Sequence, residues 1–292
     1  MFILKSNLIC LDPIPNVISK FYIHKILRGD FMFKNILNRK KPTIWALIMV
    51  IGFCVLVCGA RYAYNVTDTV SASAAKKDLP IYCVDTQGKK QVAISFDAAW
   101  GADDTDDLLS ILKNNDVKAT FFLCGYWVDK YPDEVKKIYE SGHDIGNHSN
   151  THPHGAQLTL EQNKANIQAC HQKVKNLLGI DMTLYRPPFG EYNNTVLQAA
   201  KECGYYSIQW DVDSLDWMNK GTEHELNQVL NHKHLGNGSI ILFHNDAKYT
   251  PDVLDEIIKG LKEKGYEIVP ISQLIHKENY YMDHEGRQIL NS

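Results

Sequence analysis

Several catalytic signatures are missing from this 292-residue chain. It has no Gly-x-Ser-x-Gly elbow to present a hydrolytic serine, and Cys124 sits in the apolar run Thr120-Phe121-Phe122-Leu123-Cys124, a setting that disfavours a thiolate nucleophile. No glycine-rich phosphate fingerprint follows the first strand signal, which argues against a dinucleotide site. Positive charge is scarce beyond the N-terminus. Residues 1–42 hold eight Lys or Arg against Asp12 and Asp30, and with a whole-chain net charge of −3 the remainder stands near −9. An acidic body of that kind repels phosphates, so no nucleic-acid partner is expected.

Charge is absent altogether from residues 43–60, an apolar stretch just long enough to span a bilayer. Arg39, Lys40 and Lys41 precede it and Arg61 alone soon follows, so the positive-inside rule places the N-terminus in the cytoplasm and the rest outside. The segment reads as a retained anchor, although Ala72-Ser73-Ala74 offers a cleavage site for a leader. The localisation expected is the cell membrane with an extracytoplasmic C-terminal domain, or secretion after cleavage. Met32 is an alternative start, because residues 32–60 alone form a complete charged and apolar leader. Seven cysteines include Cys83, Cys124, Cys170 and Cys203 in the exported part. A domain of this size needs no disulfide staples, so free thiols are expected.

Beyond a polar linker over 61–90, strand and helix signals alternate. Short apolar runs at 92–96, 119–124, 205–209, 239–243 and 266–269, with a further strand near Leu184, read as strands. Helical spacing falls between them. Thr159-Leu160-Glu161-Gln162 and Thr222-Glu223-His224-Glu225 both read as capping boxes. The fold class expected is α/β, a distorted (β/α) barrel of about seven strands, with a doubly wound open sheet as the competing architecture. Residues 276–292 read as a polar tail.

Polar clusters stand just after several different strands, where barrel active sites are assembled. They are Asp97; His148 and His152; Arg186-Pro187-Pro188-Phe189-Gly190; Asp211 through Trp217; and Leu242-Phe243-His244. In this order they resemble the motifs of the carbohydrate esterase family 4 polysaccharide deacetylases, the NodB-homology domain, over residues 92 to about 275. The Asp97-Ala98-Ala99-Trp100-Gly101 variant is similar to the sporulation-associated PdaB-type subgroup, for which a role at the spore envelope is implied by resemblance. The domains expected are thus 1–42 basic N-terminus, 43–60 anchor or signal segment, 61–90 linker, 91–275 deacetylase-like domain and 276–292 tail.

The resemblance implies a divalent metal (Zn2+ first, Co2+ or Mn2+ otherwise) on His148 and His152, and Asp97 as catalytic base. It implies His244 as catalytic acid, Arg186 with Asp213 as a buried pair tuning base and acid, and the Phe189 backbone N–H as oxyanion donor. Pro188, Leu242 and Trp217 would line the acetyl pocket and groove. The substrate implied is an N-acetylated cell-wall glycan, peptidoglycan first. One position departs from the pattern: where the family has Thr-Phe-Asp-Asp-Gly, with the second Asp a metal ligand, this chain has Ala98. Two neutral imidazoles leave a divalent ion near +2 rather than +1, which weakens binding. Two readings therefore stand, a metal-dependent de-N-acetylase and a catalytically impaired glycan-binding relative. Asp97 and His244 are useless to a mere lectin, which favours the enzyme.

Overall fold

The computed structural model describes residues 48–59, 61 and 78–291. The chain divides into two compact units, residues 1–76 and 77–292. In the first, residues 48–59 are helical and exposed. No helix among the described residues is long and apolar enough to cross a membrane. The span expected over 43–60 extends past those residues, and the basic N-terminus 1–42 lies outside them.

The second unit is built on β2 (Gln91–Ala98), which pairs in parallel with β3 (Thr120–Leu123), β8 (Ile240–His244) and β9 (Glu267–Ile268). Beyond these lie β4 (Asp144–Asn147), β5 (Leu184–Tyr185), β6 (Tyr206–Ser207) and β7 (Val212–Asp213), giving the order β6-β5-β4-β3-β2-β8-β7. Strand β2 shows why both faces are covered. Val92, Ile94, Phe96 and Ala98 enter the larger core, under the helices α1 (Thr105–Asn114), α4 (Leu160–Leu178) and α7 (Thr250–Glu263). Ala93 enters the smaller core on the opposite face with Phe122, Leu184 and Ile240. Period-two alternation thus sends Asp97 to the inner face and Ala98 to the helix side. Phe96 stacks on Phe121 at 4.8 Å and approaches Phe243 at 5.6 Å. Each such ring contributes about 1.5–3 kcal/mol on burial.

The sheet curls into a half-barrel and stops short of the closed ring. Its edge strands β6 and β7 are joined by residues 208–211 alone, whereas a parallel pair needs a crossover of roughly a dozen residues or more. In place of strand pairing, Ile81 bridges to Ile208 and the Val84 N–H donates to the Gly238 carbonyl at 3.0 Å.

Three readings of the sequence are corrected. The expected linker over 61–90 overlaps folded chain, because Ile81, Cys83 and Val84 are buried and β1 (Cys83–Val84) is a strand. The expected polar tail is folded: β10 (Tyr280–Met282) and β11 (Arg287–Leu290) form an antiparallel hairpin, and β11 pairs in parallel with β1. Buried Gln288 fastens it, exchanging hydrogen bonds with the His276 backbone at 2.7 and 2.8 Å. The polar character of this segment hid a strand whose partner lies near the opposite end of the domain. The third correction concerns capping. Thr159 and Gln162 form their box and Gly179 closes α4 in the left-handed region, but α6 (Thr222–Leu230) is preceded by Gly221 with no side-chain cap. Glu225 is buried instead and accepts from Thr250. Cys54, Cys58, Cys83, Cys124, Cys170 and Cys203 are all free, while Cys10 lies outside the described residues.

Candidate active site

The C-terminal ends of the strands open onto a cavity of about 600 Å³. Its lining includes Asp97, Trp100, His148, His152, Phe189, Asp213, Trp217, Leu242 and His244. Strand register does the assembling. Asp97 pairs with His244 across β2 and β8, and Leu123 pairs with both Ala98 and Asn147, so the loop carrying the histidines leaves β4 one strand beyond Cys124.

Asp97 is 4% exposed, with Oδ1 accepting from Arg186 Nη1 at 2.8 Å and Oδ2 lying 3.5 Å from His148 Nε2. Burial alone would raise this carboxyl, yet the Arg186 guanidinium outweighs it, with lesser help from the His148 and His244 imidazoles, and holds the group below the ordinary Asp value. The fully buried guanidinium also donates to the Gln209 carbonyl at 3.2 Å and lies over the Phe122 ring at 4.2 Å.

His148 Nδ1 lies 2.8 Å from the Arg186 carbonyl. A carbonyl only accepts, so Nδ1 carries the proton and Nε2 keeps a lone pair. Burial depresses His148, and it depresses His152 to about 4, so both rings are neutral at pH 7, as metal ligands must be. The rings stand 4.9 Å apart. His152 adopts a left-handed backbone (φ 52°), with its N–H donating to Ser149 Oγ at 3.0 Å. One ligand atom from each of His148, His152 and Cys124 lies within 4.8 Å of the others. Burial pushes the Cys124 thiol well above its usual value.

His244 faces a different acid from the one expected. Its Nδ1 lies 2.7 Å from Asp216 Oδ1, and its backbone N–H donates to Asp216 Oδ2 at 2.6 Å. Burial would lower the imidazole, but the Asp216 hydrogen bond and charge, with Asp97 and Asp213, raise it above the ordinary histidine value. Behind Asp216, Thr250 donates to Glu225 at 2.8 Å, and burial pushes that carboxyl up to about 7. The expected pair of Arg186 with Asp213 does not form. Arg186 is held by Asp97, and Asp213 accepts from Trp210 Nε1 at 3.1 Å and the Leu215 N–H at 2.9 Å. Both acids sit in Asp211–Trp217, and only the turn after β7 decides which of them reaches the histidine.

Leu242 is buried on the cavity wall, while Trp217 and Phe189 line it at 52% and 55% exposure, as rim residues should. Phe189 lies in the left-handed region (φ 58°), its ring 4.4 Å from those of His152 and His154. Pro188 is buried and does not line the cavity. Trp100 covers His244 at 5.4 Å between ring centres. Glu191 lies outside the cavity lining, its carboxylate 3.0 Å from His154 Nδ1. Sequence reasoning missed Asp216, Trp210 and Asn245, whose Oδ1 accepts from the Ala99 N–H at 3.1 Å. A carboxylate immediately before Trp217 was the available signal for the first.

Residues 84–208 match the family described as polysaccharide deacetylase. A peptidoglycan-N-acetylglucosamine deacetylase of Bacillus cereus is 34% identical over 64% of this chain and 89% of its own. Among solved structures, BA3943 from Bacillus anthracis, described as a pseudoenzyme of carbohydrate esterase family 4, superposes with a TM-score of 0.64. It is 32% identical over 68% of this chain and 69% of that one. A mutant of the same protein, described as having restored enzymatic activity, is 33% identical with the same TM-score, over 68% of this chain and 71% of that one. Register, cavity and relatives agree, and the chain belongs to the polysaccharide deacetylases, carbohydrate esterase family 4.

Proposed function

We propose that the protein removes acetyl groups from N-acetylated cell-wall glycan, with peptidoglycan as the substrate class. The observation that carries this reading is the facing of Asp97 and His244 across paired strands, with the carboxyl pushed below its ordinary value and the imidazole above its own. Two titratable groups pushed apart in this way are suited to base and acid roles. Asp97 accepts a proton from the attacking water, and protonated His244 delivers one to the departing amine nitrogen. Arg186 holds Asp97 ionised and oriented, and Asp216 does the same for His244. The Phe189 N–H stabilises the oxyanion, Leu242 packs on the acetyl methyl, and Trp100 and Trp217 bound the sugar groove.

The donor set on the inner face fits a divalent cation, because His148 offers an Nε2 lone pair fixed by its Nδ1 hydrogen bond. His148 and His152 would hold it, and Zn2+, Co2+ or Mn2+ bound there would acidify water and polarise the acetyl carbonyl. In this reading the uncharged run 43–60 anchors or exports the domain, and the Asp97–Gly101 sequence supports a sporulation role of the PdaB type.

A second reading, an impaired glycan-binding relative, is favoured by Ala98 and by the likeness to a pseudoenzyme. Acetate release from peptidoglycan and chito-oligosaccharides with added Zn2+, Co2+ or Mn2+, alongside metal analysis, separates the two. Acetate from the wild type supports the enzyme. No acetate and no bound metal in wild type, but both in Ala98→Asp, establishes the impaired reading.

A further inference from the structure

We infer that Cys124 supplies the third protein ligand of the metal site, its thiolate standing in for the carboxylate absent at Ala98. The inference rests on the deacetylase reading only for the two histidines. Cys124 is the first residue after β3, donating its N–H to the Ala98 carbonyl at 3.1 Å. The adjacent Gly125 N–H donates to the Ser149 carbonyl at 2.9 Å, in the loop between the two histidines. The thiol therefore sits between the position that lost the acid and the positions that kept the imidazoles.

Geometry and charge both fit. Zn–S near 2.3 Å and Zn–N near 2.0 Å place tetrahedral ligand atoms roughly 3.5 Å apart. The sulfur and one nitrogen of each ring already lie within 4.8 Å of one another, roughly an ångström beyond that spacing. Sγ gives up a weak contact, 3.4 Å to the His148 carbonyl, and its interaction with the Tyr126 side chain. On binding, the S–H bond breaks, its proton leaves to solvent and the sulfur lone pair bonds the cation, which carries the same net charge as a His, His, Asp site. Asp97, held by Arg186, is left free of the metal. A thiolate ligand is soft, so the site selects Zn2+ or Co2+ over Mn2+ and Mg2+, unlike an oxygen-rich site.

The test is Co2+ titration of the full chain, read by near-ultraviolet sulfur-to-cobalt charge-transfer absorption and by competition with Zn2+. The expected result is one Co2+ per chain with that band in wild type. Cys124→Ser and His148→Ala each lose it and bind at least about tenfold more weakly, since even indirect ligand partners are worth about 10 to 100-fold. Ala98→Asp/Cys124→Ser, which returns the carboxylate, regains tight binding without the band and covers the case in which Cys124→Ser alone misfolds. Tight Co2+ binding by wild type without the band overturns the thiolate ligand and leaves the deacetylase reading standing. Absence of Co2+ binding in wild type, with binding in Ala98→Asp, overturns the thiolate ligand and metal dependence of the native chain together.

Discussion

Replacing Arg186 with Met keeps an apolar chain of similar length but removes the charge that holds Asp97. The pair is buried on both sides, with Arg186 0% and Asp97 4% exposed. Removing one partner of such a pair costs about 3–5 kcal/mol, because an uncompensated buried charge remains. The cost is pH-dependent with a definite sign. In the wild type the Asp97 carboxyl lies below its ordinary value, so its contribution is present above the unfolded value near 3.9 and is lost as pH falls through the folded one. In Arg186→Met, burial dominates and the carboxyl moves up, so neutralising it relieves the variant as pH falls. Urea unfolding at pH 7 and pH 4 should therefore show a difference of about 3–5 kcal/mol at pH 7 that shrinks markedly at pH 4. A difference under about 1 kcal/mol at pH 7, or one equal at both pH values, would refute the assignment of Arg186 as the charge that sustains Asp97.

Asp216→Asn should lower the His244 pKa, since a carboxylate at hydrogen-bond distance favours the imidazolium; histidine NMR titration measures it. An unchanged His244 titration would return the orienting role to Asp213. Thr159→Ala should cost about 1 kcal/mol by thermal or urea unfolding through loss of a formed cap, whereas Thr222→Ala should cost markedly less because no cap is formed there.

Much of the catalytic half was legible in the chain. Asp97, Arg186 and His244 each follow a short apolar run, and parallel strands gather such positions at one end whatever the sheet's exact closure, whereas His148 follows Asp144–Asn147, a strand with a single large apolar residue. That the sheet stops short of a ring was not legible, because it depends on the two residues each of β6 and β7 and on the short link between them. The hairpin at 280–290 was hidden for a related reason: its strands are weakly apolar, and β1, their partner, is itself only two residues long.

Local pattern sufficed wherever a residue's neighbours in space are also its neighbours in sequence. The cap at Thr159, the stop at Gly179 and the alternation through β2 that turns Asp97 inward are all of this kind. Partnership across the fold was decided by tertiary structure alone. Arg186 meets Asp97 rather than Asp213, His244 meets Asp216, and Cys124 comes beside two histidines, because strand register and turn geometry, rather than residue type, fix which polar atoms share a low-dielectric space.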